Sequence, residues 1–525
     1  MSPYPNEPDP WPQQPDHGYD AVPSPSPPQP ASRDTVPEPI EYPTEFQSPD
    51  QWAPAYPGSG AADAVRDRPL SHLTAGRIVV AWLVIVFCTV ALFFLQALGM
   101  KEMAKEAKAD SRPGMQALYL GRVGVGFHNI APGQSGQFLD EYNKIVNAST
   151  HPRLAELRGV VLTGELQGRD AAQDRLALLL SGATPLLEDA TQPTAEDQRV
   201  DGLIERIYTD QSFVPNADQR EQLISRHGYF GEIAAGYNLP QSDPLHKGPR
   251  RSATIMIVGL GTMVGVVGLA FLTGIVLLVV LAILFGTGSQ KIAMRDGPAG
   301  HPAVYLELVA LFLVGFIVLQ LVFGVLSELT GLDWTLGFLL LSPVVLLWPR
   351  LAGVPWKQYC HDMGFHRGKG WINEIGSGIG GYLAGLPVIA VGFGMTFLLG
   401  LFSGDSADHP MQREITDGRL FNILLLIAAA VVWAPLVEEA VFRSAFYRHL
   451  RQWRGVPSWL IATVVTSFIF AAIHPQGWIG IPVLMSIAFV LAALREWRGS
   501  IIPSITAHAL HNGTLMVLML IILYV

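Results

Sequence analysis

The sequence predicts an all-α membrane protein: a polytopic bundle of about nine transmembrane helices with a disordered N-terminal tail and a helical extracytoplasmic domain. Three observations lead there. Half of the 525 residues are hydrophobic and 15% are charged, with a mean hydropathy of +0.31, which is too apolar for a wholly soluble chain. Apolar runs of roughly 20 residues, long enough to cross about 30 Å of hydrocarbon, recur along it. Proline and acid crowd one end: residues 1–60 hold 17 of the 39 prolines and nine carboxylates against one base, Arg33.

That end, residues 1–70, has too few aliphatic side chains to offset its chain entropy and reads as a disordered, Pro-rich acidic tail. It lacks the charged and apolar regions of a signal peptide. It also carries nearly all of the net charge of −9, so the rest is close to neutral. The first transmembrane helix falls in 71–100, with its apolar run at 78–98. Residues 101–250 have the size of one domain. Their stretches 153–182 ("RLAELRGVVLTGELQGRDAAQDRLALLLSG") and 195–210 ("AEDQRVDGLIERIYTD") repeat apolar residues at helical spacing.

Residues 251–525 hold the main bundle, with spans near 254–285, 303–326, 334–348, 377–402, 420–447, 457–474, 478–494 and 501–524. Of these 334–348 is short, and 254–285 is long enough to tilt or break. Small residues four apart in "GLGTMVGVVG" (259–268) and "GSGIGGYLAG" (376–385) suit close helix packing. The loops at 289–302, 349–370, 448–456 and 495–500 carry eleven Lys/Arg, whereas the opposite loops carry only Arg413 and Arg419. This bias makes a multi-pass cell-membrane protein with its tail in the cytoplasm and residues 101–250 outside. Lys247, Arg250 and Arg251 go against the bias, as long translocated segments often do. Segment 356–376 reads as an interfacial helix or a solvated loop, and Glu307 and Glu328 as solvated acids at span ends.

Only two cysteines occur, Cys88 and Cys360. Neither has the surroundings of a disulfide framework or a metal knuckle, which excludes cysteine-based chemistry. Carboxylates are more telling. In "APLVEEAVFRSAFYRHL" (434–450) two glutamates stand inside an apolar span, where a charge costs on the order of 2.5–3.5 kcal/mol and is kept only with a partner or a task. Glu439 and Arg443, four apart with the acid first, have the spacing of an intrahelical ion pair. Glu438 is rotated by about 100° and needs a different partner. Pro435 frees backbone groups that can kink the helix.

Later spans supply partners: Phe470 and His474 in "FIFAAIHP", and His508 and Asn512 in "HALHNG". Hydrocarbon penalises this polar set unless its members converge inside the bundle. Singly, each could be interhelical glue worth about 0.6–2 kcal/mol. By residue count His474 lies about 26 Å into its span and His508 about 12 Å, so tilt or a kink at Pro435 must bring them level. His511, three after His508, reads as packing.

Three motifs in this order, Glu-Glu-x-x-x-Arg (Glu438, Glu439, Arg443), Phe-x-x-x-His (Phe470, His474) and His-x-x-x-Asn (His508, Asn512), resemble the signatures of the CPBP family of intramembrane proteases, also called ABI or CAAX-protease-like. The resemblance covers roughly 254–525. It implies hydrolysis of peptide bonds in membrane-associated or prenylated-type substrates, with membrane lipids and a peptide or protein as partners and no nucleic acid. On those chemical grounds Glu438 with His474 would activate water, and His508 with Asn512 would stabilise the oxyanion. Glu439, Arg443 and Phe470 would support them. No cofactor is required by a glutamate mechanism. The alternative is a zinc site of His474, His508 and Glu438, although the His-Glu-x-x-His helix of zinc proteases is missing. Two other function classes stay open: a non-catalytic binding, immunity or maturation protein working through residues 101–250, and a proton-coupled transporter.

Overall fold

In a computed structural model, the structure describes residues 72–109, 113–149, 151–183, 193–294, 301, 303–332, 334–403, 420–452 and 456–524. The expected tail, residues 1–70, and the loop 404–419 lie outside them. Among the described residues all regular structure is helical, as the composition predicts.

Helix α1 (His72–Ala109) opens this architecture. Ala81, Ile85, Cys88 and Leu92 recur at helical spacing and are buried, while Leu83, Val86, Phe87, Val90, Phe94 and Leu98 are exposed. One stripe therefore packs on protein and the remaining surface is apolar, as a span facing lipid requires.

Seven described helices follow: α2 (Met115–Ile130), α3 (Gly136–Ala148), α4 (Pro152–Leu166), α5 (Arg169–Leu180), α6 (Ala195–Thr209), α7 (Ala217–His227) and α8 (Tyr229–Gly236). They form a core of their own around Tyr142, Val160, Val161, Ile204, Ile207, Tyr208 and Phe230. The run 153–182 is two helices because Gly168 turns the chain at φ +97°, a conformation that suits glycine. Thr194 with Asp197 and Asn216 with Gln219 form capping boxes that start α6 and α7. Half-buried arginines meet buried carboxylates, Arg175 with Glu156 at 2.7 Å and Arg226 with Asp201 at 2.5 Å.

Helix α9 (Pro244–Gly286) then runs unbroken for 43 residues, about 64 Å at 1.5 Å per residue. Its first turns belong to the preceding helices, with Ala253 seated against Gly126 of α2, and the rest is span. Next come α10 (Val304–Thr330), α11 (Thr335–Leu351), α12 (Trp356–Met363), α13 (Trp371–Ser403), α14 (Leu420–Leu450), α15 (Val456–Ala472), α16 (Ile481–Arg498) and α17 (Ile502–Tyr524).

Seven described helices, not nine, are long and apolar enough to cross a membrane: α1, α9, α10, α13, α14, α16 and α17. The spans expected at 334–348 and 457–474 are shorter. Helix α11 breaks into tighter turns from Ser342, next to Pro343, and α15 stops before Pro475 after 17 residues, about 26 Å.

The glycine expectation divides. On α13, Gly381 and Gly385 leave room for Leu494 and Val490 of α16, which an added Cβ would meet at 2.2 and 2.5 Å. On α9, Gly259 meets Ile521 of α17 at 3.4 Å, an ordinary contact, while Gly261, Gly265 and Gly268 face nothing within 4 Å, so most of that run does not pack closely. Glu307 is not a solvated acid: Arg77 donates to it at 2.6 and 2.8 Å and Trp348 at 3.2 Å. Segment 356–363 is a helix docked on the bundle, its Asp362 buried and bonded by the Tyr305 hydroxyl at 2.9 Å.

Candidate active site

The site is built on α14, whose backbone alternates between α and π turns: π over Ala429–Trp433, α over Ala434–Glu438, and π over Glu439–Phe446. Pro435 accounts for the first switch. The Ala434 N–H reaches back to Ala429 O, so the next carbonyl, Ala430 O, falls to residue 435, and proline has no N–H to give. Asn512 of α17 fills that role, its Nδ2 donating to Ala430 O at 2.8 Å. The proline thus frees a carbonyl and the asparagine satisfies it across the bundle.

The second π stretch is wholly buried and directs its charges inward. Glu439 is fully buried, with Oε1 3.0 Å from His508 Nδ1 and 3.3 Å from Arg443 Nη1. The arginine contact is an ion pair without hydrogen-bond geometry, and both terminal nitrogens of Arg443 lack a hydrogen-bond partner. Its guanidinium instead lies 4.3 Å over the Phe470 ring, a cation–π contact strengthened by the absence of water.

Glu438 points elsewhere. Its Oε2 is 3.8 Å from His474 Nε2 and 3.8 Å from His508 Nε2, and it is a buried oxygen without a direct hydrogen-bond partner. His474 follows the end of α15; its Nδ1 bonds Phe470 O, and its ring lies 4.2 Å from the Phe470 ring. Both histidines are thus anchored through Nδ1 and turn Nε2 toward one carboxylate oxygen. The helix that looked too deep to share a level with His508 meets it, because α15 is short and His474 lies on the turn beyond its last residue. His508 is 4% exposed, whereas the side chains of Glu438 and His474 are each 19% exposed and form the accessible edge.

Six of the seven residues singled out by the motifs meet here: Glu438, Glu439, Arg443, Phe470, His474 and His508, while Asn512, one turn beyond His508, bonds Ala430 O, eight residues before Glu438. His511 stands aside, its Nδ1 3.4 Å from the Tyr382 hydroxyl. Sequence reasoning missed Gln96 of α1, whose Nε2 donates to Ile473 O, beside His474. A signal existed, because Gln96 continues the buried stripe of Ala81, Ile85, Cys88 and Leu92 by one more turn. Anchored imidazoles and a carboxylate are chemically suited to zinc. Their spacing is not: ligands at ~2.0–2.1 Å around a tetrahedral ion sit about 3.4 Å apart, against 3.8 Å here. Among the described residues no group of three or more His, Cys, Asp or Glu is placed to hold a metal ion.

Comparison with known proteins gives one family. No curated protein and no solved structure matches the chain. Residues 420–514, which contain all seven motif residues, match the family model described as type II CAAX prenyl endopeptidase Rce1-like, so this part of the chain is similar to the CAAX-protease family that the motifs resemble.

Proposed function

We propose that the protein is an intramembrane endopeptidase that hydrolyses a peptide bond with a water activated by Glu438. The observation that carries this reading is the Glu438 carboxylate oxygen set 3.8 Å from two imidazole Nε2 atoms. That distance is too long for direct hydrogen bonds and suits groups sharing one water molecule.

Glu438 takes a proton from the water while the oxygen attacks the scissile carbonyl, giving a tetrahedral intermediate. The C–N bond then breaks and the Glu438 acid returns the proton to the leaving amine. His474, fixed by Phe470 O, orients the water. The oxyanion falls to His508, which donates from Nε2 when the ring carries both protons, with the Glu439 carboxylate on Nδ1 as its counter-charge. Asn512 commits one amide proton to Ala430 O and has a second to offer. No step passes through a metal.

The family's name supports a carboxy-terminal segment of a prenylated protein as substrate, and a site reached through apolar helices suits a lipid-anchored one. The charge bias of the loops supports a cytoplasmic tail, with residues 101–250 on the opposite side.

The test is cleavage of quenched peptides, prenylated and not, by purified protein in liposomes. Activity in wild type and its loss in Glu438→Gln would support the proposal. Full activity in Glu438→Gln would refute it.

A further inference from the structure

We infer that Gln96, on a helix some 320 residues before the Rce1-like segment, is a positioning residue of the active site: it holds the turn that carries His474. The inference rests on the protease reading above for its catalytic consequence, but its structural part stands alone.

The need for such a residue comes from the end of α15. The last carbonyls of any helix lose their intrahelical partners. Pro475 stops α15, and among the described residues no backbone N–H beyond the helix, that of Gly477 included, bonds Ile473 O. Ile473 O is thus a helix-end acceptor in apolar surroundings, where an unmade hydrogen bond is costly. It is also one peptide from His474, so whatever anchors it sets the position of the imidazole.

Gln96 supplies the donor. Below it on the same face, Ala81, Ile85, Cys88 and Leu92 are all buried in the core shared with Phe442, Phe446 and Phe470. Trp82 of the same helix packs on Phe446 at 5.4 Å. The face packs chiefly on α10, whose Tyr305, Leu308, Val309 and Phe312 belong to the same core, so Gln96 is held rather than free to wander. A glutamine in an apolar seam is itself expensive unless bonded. Its Oε1 is buried without a hydrogen-bond partner, so the bond from Nε2 is what offsets the cost of burying the amide. Asn512 does the same for Ala430 O beside Pro435. Two amide side chains from other helices thus satisfy carbonyls freed near two prolines, and the one from Gln96 does so next to the histidine. The first helix is then part of the catalytic unit.

The experiment compares wild type, Gln96→Met and Gln96→Glu, each full length in liposomes. Methionine keeps the shape and removes the donor. Glutamate keeps the shape and donates only when protonated. The expected result is a drop in kcat of about 10- to 100-fold for Gln96→Met at every pH, with KM within about twofold, as for a misplaced catalytic group. Gln96→Glu should be equally poor at neutral pH and recover toward acid, shifting its pH–rate profile relative to wild type. A general loss of stability would produce no such shift.

Hydrogen exchange of the 473–480 amides is read in the same samples and does not depend on activity. It should quicken in Gln96→Met at least tenfold, with α16 unchanged. Unchanged exchange in that turn would overturn the inference whatever the enzyme does. Quickened exchange in a protein that cleaves nothing even as wild type would keep the positioning role and sink the protease reading instead. Quickened exchange with wild-type kcat would overturn the catalytic half.

Discussion

His508 Nδ1 lies 3.0 Å from Glu439 Oε1, and the same carboxylate oxygen lies 3.3 Å from Arg443. One buried acid therefore serves two helices, pairing with the arginine of its own helix and aiming the histidine of another. The neighbouring Glu438 is left to face both Nε2 atoms. Adjacent glutamates divide the work because consecutive side chains on a helix diverge by about 100°.

Removing the general base should be decisive. Glu438→Gln is expected to reduce kcat by about 10²–10⁴-fold with an unchanged melting temperature in detergent, since no hydrogen bond from its Oε2 is lost. A residual rate above a tenth of wild type would argue against the assignment.

The companion pair should behave in the opposite sense. Arg443→Ala leaves Glu439 charged in a buried site, a change that typically costs about 3–5 kcal/mol. Its signature is a lowered melting temperature and poor recovery from the membrane. Phe470→Leu should fall between, because it removes the surface on which the guanidinium rests.

Asn512 and Pro435 should be coupled. Asn512→Leu orphans Ala430 O, a loss of about 1–3 kcal/mol. Pro435→Ala restores a backbone N–H that can reach the same carbonyl. In the double variant the loss from Asn512→Leu should therefore shrink by about 1 kcal/mol, read as non-additivity in a double-mutant cycle. Strict additivity would show that the proline does not create the need for the asparagine.

Chelation is expected to leave cleavage intact, because the donor spacing is wider than a zinc site requires. Cleavage abolished by a chelator and restored by zinc would reverse that conclusion.

The helices at 115–236 should lose stability in acid. Burial pushes the His227 imidazole down to about 4, against the pull of Asp201, whose Oδ1 is 3.3 Å from Nε2. Its folded pKa lies below the unfolded value of 6.5, so the unfolded chain takes up the proton first. The stabilisation is complete above about pH 6.5 and is lost as the pH falls toward 4, on the order of 3 kcal/mol in all. Hydrogen exchange of Ile204, Ile207 and Phe230 in the full-length protein should quicken across that window, and His227→Phe should flatten the response.

Periodicity and motif order determined much of this protein by themselves. Seven of the expected spans are present because a membrane-crossing helix must satisfy its own backbone and present an apolar surface, both of which are local properties of the chain. The approach of Glu438, His474 and His508 to one another was legible for a related reason, since isolated polar groups in hydrocarbon are so costly that they must meet; that Asn512 turns instead to Ala430 O was not. Tertiary structure decided the rest. Whether Gly261 or Gly381 lies against a neighbour depends on which helix passes by, and whether Glu307 is solvated depends on Arg77, distant in the chain. Gln96 looked like one polar residue in an apolar run until α1 lay against the end of α15. A hydrogen bond between segments nearly four hundred residues apart leaves no periodic trace in either of them, so only the packed bundle reveals it.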